Sequence, residues 1–152
     1  MKNIHIEDHE VLFRRVPNTP DYIVRREGMV RISSQAFSDR YYRPSVDRAI
    51  LRENNPKLCQ QNATDAVVSI IARDVRGIEG ILKNNGNEPP QQYIIDIEYV
   101  PIENVPGKPD NIAHAEIFTD PICDKNIFRK LKERLAQLAN LRLWDVDPPS
   151  TF

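Results

Sequence analysis

His114 and Glu116, set two apart in Asp110-Asn-Ile-Ala-His114-Ala-Glu116-Ile-Phe-Thr119, are the side chains of this sequence best placed to do chemistry. Their surroundings read as a short apolar strand. Residues i and i+2 of a strand share a face, so an imidazole and a carboxylate stand side by side. The first strand, Val11-Leu-Phe-Arg-Arg-Val16, adds cationic groups. Consecutive strand residues face opposite sides, so one of Arg14 and Arg15 points inward, where it needs a partner. Two arrangements satisfy these residues. In one, they line an anion- or nucleotide-binding cleft across neighbouring strands. In the other, Glu116 or Asp96 neutralises the inward arginine and His114 bonds the adjoining loop.

Other groups carry less chemistry. His5 and His9 have the i, i+4 spacing of a metal pair on a helix, but no third ligand is fixed by the sequence, so a solvated leader over residues 1–10 and no metal are expected. Cys59 and Cys123 belong to no Cys-x-x-Cys pair and read as reduced, packed thiols. Seven arginines fall between Arg25 and Arg52, with Arg40 and Arg43 beside Tyr41 and Tyr42 as a basic patch. Interspersed acids offset much of that charge, so nucleic-acid binding is expected to be weak and nonspecific. No Gly-rich phosphate loop, Gly-x-Ser-x-Gly elbow or His-Glu-x-x-His helix is present, which sets aside the NTPases, α/β-hydrolases and zincins recognisable by motif.

The elements that must position these groups belong to one domain spanning all 152 residues, with a polar tail over residues 145–152. The net charge of −1 hides a mild asymmetry: residues 1–60 hold 11 Lys and Arg against 8 Asp and Glu, the remainder 10 against 14. No apolar run approaches the roughly 20 residues that span a bilayer, and the first ten residues are too polar for a signal peptide, so a cytoplasmic location is expected.

Hydrophobic periodicity points to an α+β fold: a largely antiparallel sheet of about five strands with two main helices. Residues 66–78 form a β-branched run. In 93–100, Ile95, Ile97 and Tyr99 alternate with Asp96 and Glu98, as in a strand with one wet face. The 83–90 loop is expected to join these two strands as a long antiparallel hairpin. Ser45, with Val46, Ala49 and Ile50 at helical spacing, predicts a helix stopped by Asn54-Asn55-Pro56. Asp120-Pro121 predicts the start of the final helix over 121–140, whose Ile127, Phe128, Leu131, Leu135 and Leu138 stripe packs on the face bearing Ile95 and Ile97.

The order Arg14, then Ser33-Ser34-Gln35, then His114-Ala-Glu116 resembles that of small ADP-ribosyltransferase-like proteins. That resemblance implies NAD held by Arg14, a pocket supported by Ser34, and Glu116 as the catalytic carboxylate with His114 beside it. The serine element lies closer to Arg14 than in that family, and His114 stands where a Gln or Glu is usual. Phe13-Arg14-Arg15, Ser45-Val46-Asp47-Arg48 and Ala113-His114-Ala115-Glu116 together resemble small uncharacterised bacterial proteins of mobile-element and defence neighbourhoods. That likeness spans most of the chain, carries no assigned activity and points towards a cytosolic conflict or defence accessory; a non-enzymatic binding or accessory module with a protein partner and no cofactor is expected. An NAD-consuming transferase is the alternative, and nucleic-acid binding through Arg25 to Arg52 a further one.

Overall fold

A computed structural model describes residues 4–84 and 86–152. Ten strands and two α-helices follow in the order β1 (Val11–Val16), β2 (Ile23–Arg26), β3 (Met29–Ile32), β4 (Ser45–Arg48), β5 (Ala66–Ile71), α1 (Ala72–Arg76), β6 (Leu82–Lys83), β7 (Gln91–Gln92), β8 (Ile94–Tyr99), β9 (His114–Asp120), α2 (Lys125–Arg142) and β10 (Trp144–Val146). Six of the strands form one sheet in the order β10-β5-β1-β4-β9-β8, antiparallel throughout. The α+β class, the antiparallel sheet and the C-terminal helix agree with the periodicity of the sequence.

Alternation divides the sheet into two faces. Leu12, Val16, Val46, Val68, Ile70, Ile95, Ile97, Ala115 and Ile117 join Leu131 and Leu135 of α2, Val75 of α1 and Phe37 in the main core. On the opposite face Phe13 and Val67 form a smaller cluster with Ala49 and Cys59. Strand β5 contributes to both, which explains its nearly unbroken apolar run. Hairpin β2–β3 turns through Glu27 and Gly28 at φ 52° and 75°. Two successive positive φ values define the tight turn that suits strand twist, and glycine accepts that geometry without strain. Among the described residues, no helix is long and apolar enough to cross a membrane.

Helix α2 begins at Lys125, where the Asp124 side chain accepts a bond from the Ile127 amide at 2.9 Å. The expected start at Asp120-Pro121 is displaced because β9 stays paired with β8 as far as Asp120. Leu131 is wholly buried. Leu131→Ala is therefore expected to cost about 2–5 kcal/mol in urea unfolding, through lost transfer energy and the cavity left behind. A loss below about half a kcal/mol would mean that the helix is not seated there.

Three further expectations are corrected. Ser45 caps no helix: Ser45–Arg48 is β4, followed by a 3-10 turn at Ala49–Arg52. Insertion between β1 and β9 gives β4 neighbours on both edges, which outweighs a short helical spacing. The 66–78 strand stops at Ile71, where α1 begins; the Ala72 and Arg73 amides donate to the Glu10 and Asp8 carbonyls instead of extending a ladder. Nor do β5 and β8 pair, since β1, β4 and β9 separate them; the 83–90 loop closes only the small β6–β7 ladder.

Segments near both ends of the described residues are docked. Ile6 and Glu10 are buried, and Arg76 of α1 holds the Ile6 carbonyl at 2.7 Å and Asp8 at 2.6 Å. Residues 4–10 are thus a strap pinned at Ile6, Asp8 and Glu10, with most of its side chains in solvent. In the tail, the Thr151 and Pro149 carbonyls accept from Asn18 and Arg25, and the Phe152 ring lies 4.6 Å from the Arg25 guanidinium.

Candidate functional site

A cleft of about 620 Å³ opens over the face that carries Phe13. Its floor is Phe13, Arg15, Asp47 and His114, from β1, β4 and β9. One wall is the segment from Arg52 to Gln61 that follows β4, and the other is the β8–β9 connection at Ile102 and residues 108–111. Strands β1 and β4 pair only at Leu12 and Phe13 and part beyond. The gap they leave, bordered by Arg14, Ser38 and Ser45, forms the open end of the cleft.

His114 and Glu116 do share a face, because Asp47 pairs with the first and Ser45 with the second. Their side chains have different occupations. His114 Nδ1 lies 2.8 Å from the Val100 carbonyl, as expected for a histidine bonded to the adjoining loop. A carbonyl only accepts, so Nδ1 carries a proton and donates it. Glu116 Oε1 instead takes Arg43 Nε at 2.7 Å, while Arg43 Nη2 reaches Glu98 at 2.6 Å. The same guanidinium stacks 5.2 Å from the Phe118 ring. Its two carboxylates outweigh partial burial and hold the Arg43 guanidinium above its ordinary range. Glu116 is absent from the cleft lining.

Arg14 is the inward arginine, and neither Glu116 nor Asp96 partners it. Its Nε donates to the Ala36 carbonyl at 2.9 Å, Nη1 to the Ser45 carbonyl at 2.7 Å and Nη2 to the Ser38 carbonyl at 3.2 Å. Burial pushes this guanidinium down to about 10, so it remains a cation at neutral pH. Pairing with Val68 places Arg14 on the main-core side of the sheet, opposite His114 and Glu116. The expected ion pair is replaced because parting strands leave carbonyls facing the guanidinium, and Asp96 is held by Arg76 at 2.7 Å. Arg15, on the other face, pairs with Asp65 at 3.3 Å. Ser34 lies in a 3-10 turn, Ser34–Phe37, outside the cleft lining.

The basic patch is also divided: Arg43 is consumed by Glu98 and Glu116, whereas Arg40 stacks on exposed Tyr41 at 5.6 Å. Cys59 lines the cleft, but burial, reinforced by Asp47, pushes its thiol up and keeps it protonated. Among the described residues, no set of three or more His, Cys, Asp and Glu is placed to hold a metal ion. The sequence gives little sign of the cleft walls. Leu58, Ile102 and Lys108 come from irregular segments with no periodicity, and the Asn111-Ile102 bridge that shapes the second wall lies inside the irregular β8–β9 connection.

Fold and cleft together define an α+β protein with a two-walled polar groove on one face of an antiparallel sheet. No protein-family model matches the chain, and no curated protein or solved structure matches it significantly.

Proposed function

We propose that this protein is a non-enzymatic binding module, a cytosolic accessory of a bacterial conflict or defence operon, which takes a protein partner at the cleft. The observation that supports this reading most is the occupation of the candidate transferase groups. Glu116 is tied to Arg43, Arg14 is spent on three backbone carbonyls, and the two project from opposite faces of the sheet. A transferase site needs its NAD-holding cation and its carboxylate to converge on one ligand. What the cleft offers instead is recognition chemistry. His114 Nε2 and the Lys108 ammonium have no bonding partner among the described residues, and they lie beside exposed Leu58 and half-buried Ile102. Its volume suits one or two protruding side chains of a partner.

Glu116→Gln separates this reading from its rival. Arg43 is 35% exposed and keeps Glu98, so the variant is expected to lose only about 1 kcal/mol in urea unfolding. Neither protein should consume NAD. A wild type that cleaves NAD, with a folded Glu116→Gln protein that does not, would establish the transferase. For the partner site, co-expression with the products of neighbouring genes should yield a complex that Leu58→Asp and Lys108→Glu dissolve without lowering the melting temperature. A complex untouched by both changes would move the interface elsewhere.

A further inference from the structure

A second cavity, of about 610 Å³, lies between the 3-10 turn with its following loop and the first half of α2, and it is dominated by cations. Arg40 comes from the loop; Lys125, Arg129 and Lys132 come from the helix. The helical three are spaced i, i+4 and i+7, one stripe of a helix, where like charges destabilise one another unless an anion lies between them. The bland reading of these residues is a solvated outer face, and other cations, among them Arg14, Arg25 and Arg134, also meet no carboxylate; what sets these four apart is that they line one cavity. Arg15, Arg43, Arg48, Arg52 and Arg76 each pair with at least one carboxylate. Among the described residues none of the four cavity cations does.

The cavity has a single carboxylate, Asp39, and its Oδ2 is taken by the Tyr41 and Arg43 amides, both at 2.9 Å. Lys132 is positioned rather than loose: Nζ is held by Gln35 Oε1 at 3.3 Å and Ser38 Oγ at 3.4 Å, and sits 5.5 Å from the Phe128 ring. Phe128 in turn packs on Tyr42 at 4.9 Å, which gives the cavity a rigid apolar wall.

We infer that this cavity is a binding site for a small polyphosphate, a ligand of about nucleoside-triphosphate size carrying three or more negative charges. Two guanidiniums and two ammoniums lining one open pocket match such an anion in charge and in donor number. An extended nucleic-acid backbone needs a continuous basic track instead, and Arg43, the next arginine after Arg40, is neutralised by Glu98 and Glu116. The site shares Ser38 and Asp39 with the rim of the sheet cleft, but its four cations lie outside that cleft and it does not depend on the partner proposed there.

Calorimetric titration of the full chain with inorganic tripolyphosphate, ATP, orthophosphate and a single-stranded oligonucleotide, at roughly 0.15 M salt, tests the inference. Tripolyphosphate and ATP are expected to bind in the micromolar range and orthophosphate far more weakly. Arg129→Glu and Lys132→Glu should each weaken tripolyphosphate by at least about tenfold, while Lys130→Glu, an equal charge change on the same helix outside the cavity, should leave it within about twofold. ATP binding more tightly than tripolyphosphate would add a base contact to the same site. Equal losses in all three variants, no binding of tripolyphosphate, or an oligonucleotide that binds far more tightly than either small ligand would each overturn it.

Discussion

Arg48→Met is expected to destabilise the protein by about 3–5 kcal/mol, the largest loss available from a single charged residue here, because it strands a buried carboxylate. Arg48 and Glu10 are 3% and 6% exposed. They form a two-point pair, Nε to Oε1 and Nη2 to Oε2, each at 2.8 Å, under the Tyr99 ring 4.8 Å away. The pair fastens the N-terminal strap to β4, so its loss loosens residues 4–10 as well as the sheet. A double variant, Arg48→Met with Glu10→Leu, removes both charges and should recover most of the loss. Urea unfolding near neutral pH measures all three proteins. A cost under about 1 kcal/mol for Arg48→Met would show that water reaches Glu10.

The same pair sets an acid limit. Burial alone would raise the Glu10 carboxyl, but the Arg48 guanidinium and the Glu7 amide at 2.7 Å outweigh it and hold the group below its ordinary value. A depressed folded-state pKa contributes stability that is full above the unfolded carboxyl value of about 4.3 and is lost as pH falls through the lower folded value. Without Arg48, burial dominates and the sign reverses. The deficit of Arg48→Met should therefore narrow between neutral pH and about pH 4. A constant deficit would disconnect Glu10 from the acid limb.

Arg14→Leu is the second large effect, about 2–3 kcal/mol, since three part-buried carbonyls lose their donors at once and water at the open end of the cleft replaces only some of those bonds. The guanidinium replaces ladder hydrogen bonds where β1 and β4 part, tying Ala36, Ser38 and Ser45 to the first strand. Arg14→Lys should recover only part of the loss, because one ammonium cannot reproduce a planar fork aimed at three acceptors. Amide exchange should quicken around residues 36–46 in both variants. If Arg14 served a ligand instead, both proteins would unfold at the wild-type urea concentration and lose only binding.

Local pattern was enough for β8, β9 and the body of α2. Ile95, Ile97 and Tyr99 against Asp96 and Glu98, and the stripe through Leu131 and Leu135, repeat at two and 3.6 residues within a few turns of chain. Those periods belong to the backbone itself, so a solvent-facing strand or helix writes them into the sequence wherever it lies. The Ser45–Arg48 segment has no such signature. It is too short to show a period, and its extended form comes from β1 and β9 on either side.

The partners of the charged groups lie equally beyond local pattern. That Arg14 or Arg15 faces inward follows from strand alternation alone. That Arg14 meets carbonyls, Glu116 meets Arg43, and Asp96 meets Arg76 depends on residues 20 to 73 positions apart, brought together by strand order. A carboxylate attracts any nearby cation over a few ångströms with little regard to sequence, so which of the chain's many arginines arrives is decided only when the sheet closes. The residue types of the candidate site were thus determined by the sequence, whereas their division between two faces, the cleft walls and the cation-lined cavity were decided by tertiary packing.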